Sequence, residues 1–202
     1  MSSRGPLLLA ALGLVAVVLA GCHRATPAAD EARIVKTFGD AKAALIANQP
    51  DRAAACFASS ADTYLAALSA PPAGRSASPT VDLYLRTALA RKVPANLRDP
   101  FTLATLARFI GERQLLKPRD LDDLALGRIA IDGDGRHATA ALLDRKATLP
   151  ISLPFVLEEG AWKIDLVPAL PYIDVLLGLD RVFKGQTPQQ QVDQLVAKLP
   201  SF

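Results

Sequence analysis

Apolar and polar positions along this chain fall into two regimes, one repeating about every four residues and the other every two. Ile34, Phe38, Ala41 and Leu45 recur at i, i+4, i+7 and i+11, and Phe57, Ala61, Tyr64 and Leu68 repeat that spacing, which predicts two amphipathic helices. A third helix is predicted from Pro79 to about Lys92, burying Val81, Leu85 and Ala88. A fourth is predicted from Pro100 to Ile110, burying Leu103, Leu106 and Ile110 before Gly111. Pro50, Pro79 and Pro100 mark helix starts, where the missing amide proton costs nothing and the fixed φ helps. Ser69 to Ser78, with Pro71, Pro72 and Gly74, reads as an exposed loop.

Near Ala125 the period falls to two. Ile129 and Ile131 lead through the turn Asp132-Gly133-Asp134-Gly135 to a returning strand from Arg136 to Leu143. Leu149, Ile151, Leu153, Phe155 and Leu157 then alternate along a third strand, with Pro150 and Pro154 on its other face. Proline cannot donate to a ladder, so that strand should be an edge or carry a bulge. After Glu158-Glu159-Gly160 a fourth strand runs from Ala161 to Leu166, with Trp162, Ile164 and Leu166 on one face. Helices around Pro168, Pro171 and Pro188 finish the chain, the last with Val192, Leu195, Val196 and Leu199 on one stripe. The expected class is α+β: N-terminal helices on one face of a curved antiparallel sheet, with additional C-terminal helices.

Before all of this stands a run without a polar side chain from Leu7 to Ala20, preceded by Arg4 and followed by Gly21-Cys22-His23-Arg24. It is laid out as a secretory signal, and it breaks before the roughly 20 apolar residues a spanning helix needs. Leu19-Ala20-Gly21-Cys22 resembles the lipobox of bacterial lipoproteins at every place. The resemblance implies that Cys22 takes a diacylglyceryl thioether, becomes the mature N-terminus and anchors the chain to a membrane. In that family Asp after the modified Cys favours inner-membrane retention, so His23 leans toward the outer membrane. The expected organisation is a signal over residues 1–21, a lipidated tether over 22–29 and one domain over 30–202. Several acyl chains on one residue give stable anchoring, at about 0.8 kcal/mol per buried methylene.

Leu157-Glu158-Glu159-Gly160-Ala161-Trp162-Lys163-Ile164-Asp165 resembles the strand, acidic turn and Gly-x-Trp-Lys-Ile-Asp strand of NTF2-like lipoproteins. That resemblance implies a curved sheet wrapped around helices as a cone with an apolar mouth. The helices after Pro168 depart from the family's pattern and are expected to cap or plug the cone.

Removal of Arg4 with the signal leaves 22 basic and 20 acidic residues in the mature chain, and no Lys/Arg run accompanies its few aromatics, so nucleic acid is not an expected partner. With Cys22 acylated, Cys56 stands alone and no intramolecular disulfide forms; its setting in Ala53-Ala54-Ala55-Cys56-Phe57 reads as a buried structural thiol. The scarcity of Cys and His argues against a metal centre, and no cofactor is expected. Asp132 to Gly135 lacks the later ligands of a calcium loop and reads as a turn.

Three functional readings follow, the third being a pure scaffold within a larger envelope assembly, which copurification would reveal. The first is a non-enzymatic binding or interaction module, taking an envelope protein or an apolar ligand on the sheet side, with Tyr64, Tyr84 and Trp162 as candidate contacts, although Trp162 on its strand face fits the core better. The second is a small NTF2-like enzyme with His137 as acid/base; His137 is the one histidine beyond the tether. An enzyme requires His137 inside a polar pocket, whereas a binding module requires an apolar or flat face without it. Phe202 resembles the final residue of outer-membrane barrels, but the helical pattern before it does not suit a lipid-facing strand.

Overall fold

The computed structural model describes residues 26–70 and 76–200. The lipobox, His23, Phe202 and residues 71–75 of the expected loop lie outside the described residues. Helix α1 spans Pro27–Ile46, α2 Pro50–Ala54, α3 Ser59–Ser69, α4 Pro79–Lys92, α5 Leu103–Glu112 and α6 Pro118–Asp122. Helix α1 starts within the stretch expected to be tether, because Thr26-Pro27 is itself a start signal. The Thr26 hydroxyl accepts from the Ala29 amide at 3.4 Å, and Pro27 occupies the first turn. The expected start at Pro100 is displaced to Leu103, since Thr102 supplies the cap and its Oγ1 accepts from the Thr105 amide at 3.2 Å. Phe57 falls outside α3 and bridges Ile164 instead; the Ile164 amide donates to Cys56 O and the Ala58 amide to Ile164 O, both at 2.9 Å.

The sheet contains β1 (Leu124–Ile131), β2 (His137–Asp144), β3 (Ala147–Glu158) and β4 (Ala161–Ile164), all antiparallel, in the order β1-β2-β3-β4. The class is therefore α+β, and the sheet curls into half a barrel. Register shifts between Leu126 and Ile129 and between Ala141 and Leu143 supply local bends of the kind that curl a sheet. Of the two expectations for β3 the bulge holds: between the pairs Ala141–Ser152 and Leu143–Thr148 one residue of β2 faces three of β3, and Pro150 is among them. Strand β3 is not an edge but lies between β2 and β4, and β4 with the Asp165 amide reaches it only from Pro154 to Glu158, so Pro150 has one unladdered side. Strand β4 stops at Ile164, two residues before the expected end, because the Asp165 carboxylate turns the chain. Its Oδ1 accepts from the Ser60 hydroxyl at 2.7 Å and from the Val167 amide at 3.3 Å.

Ala138 and Ala140 on β2 present small side chains to the core, leaving room for Ile34 and Ala41 of α1 beside Phe155, Trp162 and Ile164. Trp162 is 2% exposed, and its indole N–H donates to Asp30 Oδ1 at 2.9 Å. Asp30 also pairs with Arg33 at 3.0 Å, and Arg33 reaches the Gly160 carbonyl. Gly160 holds a positive φ of 78°, which a side chain would strain. The first turn of α1 is thus fastened to the β3–β4 hairpin. A second core cluster joins α3, α4 and α5 through Leu65, Leu68, Leu89, Phe101 and Leu103. After a short 3₁₀ turn at Val167–Ala169, helix α7 (Leu170–Phe183) and helix α8 (Pro188–Lys198) complete the chain. Helix α8 opens with a capping box between Thr187 and Gln190.

Candidate functional site

The helical half of the molecule contains two apolar cavities. One, of about 430 Å³, is lined by Ala61, Tyr64 and Leu65 of α3, Val81 and Leu85 of α4, and Ile173 and Leu177 of α7, among others. The second, of about 250 Å³, lies further along the same face of α4, against α5, and is bounded by Leu89, Phe109, Ile110, Leu116 and Leu199. Tyr84, Leu85 and Leu106 line both, so the two spaces meet across one thin wall of side chains. Ligand pockets have volumes of about 300–1,000 Å³ and mostly apolar linings with few polar groups. The larger cavity meets the size on its own, and both meet the chemistry.

The polar groups around this cleft hold its walls in place. Asp174 of α7 caps α4 from outside, accepting from the Thr80 and Val81 amides at 2.6 and 2.9 Å. Asp62 of α3 does the same for α5 through the Leu103 amide at 2.7 Å. Arg91 of α4 pairs with Asp193 of α8 at 2.8 Å, and buried Gln191 donates to Leu177 O at 2.9 Å, tying α8 to α7. The Tyr64 hydroxyl donates to Asp82 on α4. Burial, and then this bond to a carboxylate, push the Tyr64 phenol far above its ordinary value, so it stays protonated as a donor. Burial also raises Tyr84.

Linkage fixes the sign of the resulting pH dependence. A phenol whose folded pKa lies above its unfolded value of 10.0 contributes stability that is whole below pH 10 and is lost as pH climbs toward the folded value. Tyr64→Phe is expected to flatten the fall in stability above pH 10 and to cost about 0.5–1.5 kcal/mol at neutral pH, read by urea unfolding at both pH values.

His137 stands elsewhere. It opens β2, and its Nδ1 lies 2.9 Å from Asp134 Oδ2 with both side chains about half exposed. The Arg136 amide, followed by the His137 ring, holds the Asp134 carboxyl below its ordinary value. The pair closes the hairpin turn, in which Gly135 takes a positive φ of 64°. His137 lines neither apolar cavity, nor the open concavity by Glu158 and Lys163, nor the small one under the Asp132 turn. In the open concavity Glu158 is occupied by the Ser59 amide and hydroxyl, both at 3.1 Å, and Lys163 by the Ala55 carbonyl.

Compared with known protein families, with curated proteins and with solved structures, the chain matches none.

The structure thus brings Tyr64 and Tyr84 of the expected contacts together in the cleft and puts Trp162 in the core. Among the described residues no three His, Cys, Asp or Glu side chains gather as a metal group, and no helix is long and apolar enough to cross a membrane. Cys56 is half-buried, with its thiol bonded to Arg52 O at 3.5 Å; burial first, then the nearby Asp40 charge, raise its pKa. Slow alkylation by iodoacetamide at pH 8, accelerating on unfolding, is therefore expected, and rapid labelling of the folded chain would contradict this placement. Leu106, Leu195, Ile173 and Leu177 escaped the sequence reading as site residues, since an apolar residue facing a cavity and one facing the core share one pattern.

Proposed function

We propose that this protein is a membrane-anchored envelope lipoprotein that holds an elongated apolar ligand, of the acyl-chain kind, in the cleft between α3, α4, α5, α7 and α8. The observation that carries this reading is the adjacency of two apolar cavities that share Tyr84, Leu85 and Leu106 as a common wall, so that movement of those side chains would join them into one elongated space. The Tyr64 hydroxyl, whose proton is donated to Asp82, offers its oxygen at the wall as an acceptor for a ligand headgroup. The exposed position of His137, away from these cavities, favours binding over acid/base catalysis. Curling of the sheet and the seating of Ile34 and Ala41 against Phe155, Trp162 and Ile164 support an NTF2-like arrangement in which core side chains fill the sheet's concave side. The ligand space then belongs to the helical addition.

Two experiments test the proposal. Titration with a fluorescent fatty acid is expected to give saturable binding that unlabelled straight-chain lipids displace; linear, non-displaceable uptake would remove the ligand reading. Cys22→Ser is expected to abolish the lipid mass at residue 22 and the lipoprotein's fractionation with outer membranes. An unlipidated wild type in the soluble periplasmic fraction would remove the anchor.

A further inference from the structure

Helix α7 carries a second apolar face where a surface helix of a soluble domain would carry charge. At about 100° per residue, Pro171, Tyr172, Val175, Leu179, Val182 and Phe183 share an arc of roughly 120°. That arc contains no charge and faces solvent: Val175, Leu179, Val182 and Phe183 are 58%, 52%, 71% and 86% exposed. The charges lie on the other side. Asp174 is turned inward to cap α4, and Asp180 accepts from Lys184 and from the Gln191 amide. Its inward apolar residues Ile173 and Leu177 line the larger cavity. A soluble domain normally arranges such a helix with its apolar stripe toward the core and its charges outward.

We infer that the outer face of α7 docks into the phospholipid bilayer to which Cys22 is tethered. This rests on the anchoring reading, and the chain's own dimensions favour the bilayer as occupant. Residues 22–25 separate the lipidated position from Thr26, a reach of about 14 Å when fully extended. The first turn of α1 therefore stays within about 14 Å of the lipidated residue. That turn is bonded through Asp30 to Trp162, and the strand, 3₁₀ turn and first helical turn between Trp162 and Tyr172 span at most about 25 Å. Helix α7 thus begins no more than about 25 Å from the residue to which the tethered turn is bonded, on the part of the domain the short tether keeps near the lipid. An interfacial helix buries its apolar side about 5–10 Å into the headgroup and acyl boundary, with polar groups on the side away from it. Tyr172 and Phe183 stand at opposite ends of the face, where aromatic rings suit that boundary. Docking would bring the cavity behind Ile173 and Leu177 one helix thickness from the acyl chains.

The test uses the full-length chain carrying Phe183→Trp, mixed with vesicles of phosphatidylethanolamine and phosphatidylglycerol with or without brominated acyl chains. The native Trp162 is buried and supplies a constant background. The expected result is a blue-shifted reporter quenched by the brominated chains, with quenching abolished by Val175→Glu with Leu179→Glu, exposed positions whose replacement leaves the fold intact. Flotation and intact mass are read on the same samples. Lipidated, floating protein without quenching overturns the docking and leaves the anchor standing. A blue shift that depends on protein concentration and ignores bromine overturns it in favour of a second copy covering α7. Quenching in a chain without lipid on Cys22 sustains the docking and removes the anchor; neither quenching nor lipidation removes both.

Discussion

Replacing Trp162 by Ala is expected to lower the unfolding free energy by about 3–5 kcal/mol, the range for emptying a buried large aromatic site. Each kcal/mol moves the melting temperature of a domain this size by about 2–4 °C, so a fall of about 10 °C is expected in a thermal melt followed by circular dichroism. Two losses combine. The indole fills the space between Ile34, Phe155 and Ile164, and its N–H is spent on Asp30, whose carboxylate in turn holds Arg33. Asp30→Ala alone leaves the buried indole N–H unpartnered and is expected to cost about 1–3 kcal/mol. Asp30→Ala with Trp162→Phe should then cost less than the sum of the two single replacements, because the second removes the donor that the first orphans. A shift of only one or two degrees for Trp162→Ala would mean that the α1–hairpin fastening does not hold the fold together.

Leu85→Trp is expected to weaken ligand binding about a hundredfold while leaving the protein folded. Leu85 lies in the wall that both cavities share, so an indole there takes up space in the cleft and keeps the two cavities apart. Each methylene of ligand kept out of apolar contact forfeits about 0.8 kcal/mol. Excluding about four of them costs about 3 kcal/mol, or roughly a hundredfold in affinity for a fluorescent fatty acid. Because the substitution fills space and adds no charge, the melting temperature should hold steady or rise. Undiminished affinity would place the ligand elsewhere on the protein.

What the sequence disclosed and what it withheld have physical causes. The stripes of α1 and α3 and the core position of Trp162 follow from local periodicity, and Ile34, Ala61 and Trp162 are buried as that periodicity requires. The Thr26-Pro27 start and the Thr102 cap use the same chemistry as the starts that were read correctly, but each has a competing signal beside it, the presumed tether in one case and Pro100 in the other. The β2–β3 connection was not legible, since Arg145 and Lys146 both adopt positive φ without the Gly or Asn that ordinarily marks it. Nor was the Asp30–Trp162 bond, which joins positions 132 residues apart.

The cleft draws on α3, α4, α5, α7 and α8, and no local window contains it. Helix α7 is the sharpest instance. Tyr172, Val175, Leu179 and Val182 have helical spacing that reads as a core face, and only the packed structure shows that Ile173 and Leu177 take that place while the stronger stripe faces outward. His137 was distinguished in the sequence by its rarity. The hairpin geometry gives it a local partner, Asp134, three residues away.

The most direct test of the proposal that this protein is lipid-anchored and holds an apolar ligand in its helical cleft is native mass spectrometry of the protein extracted gently from membranes, beside the Leu85→Trp variant. The expected spectrum shows acyl mass on a chain beginning at Cys22, plus a noncovalent lipid-sized mass that the wild type retains and Leu85→Trp lacks. A chain that carries no acyl mass at Cys22 and holds no such ligand would contradict the account.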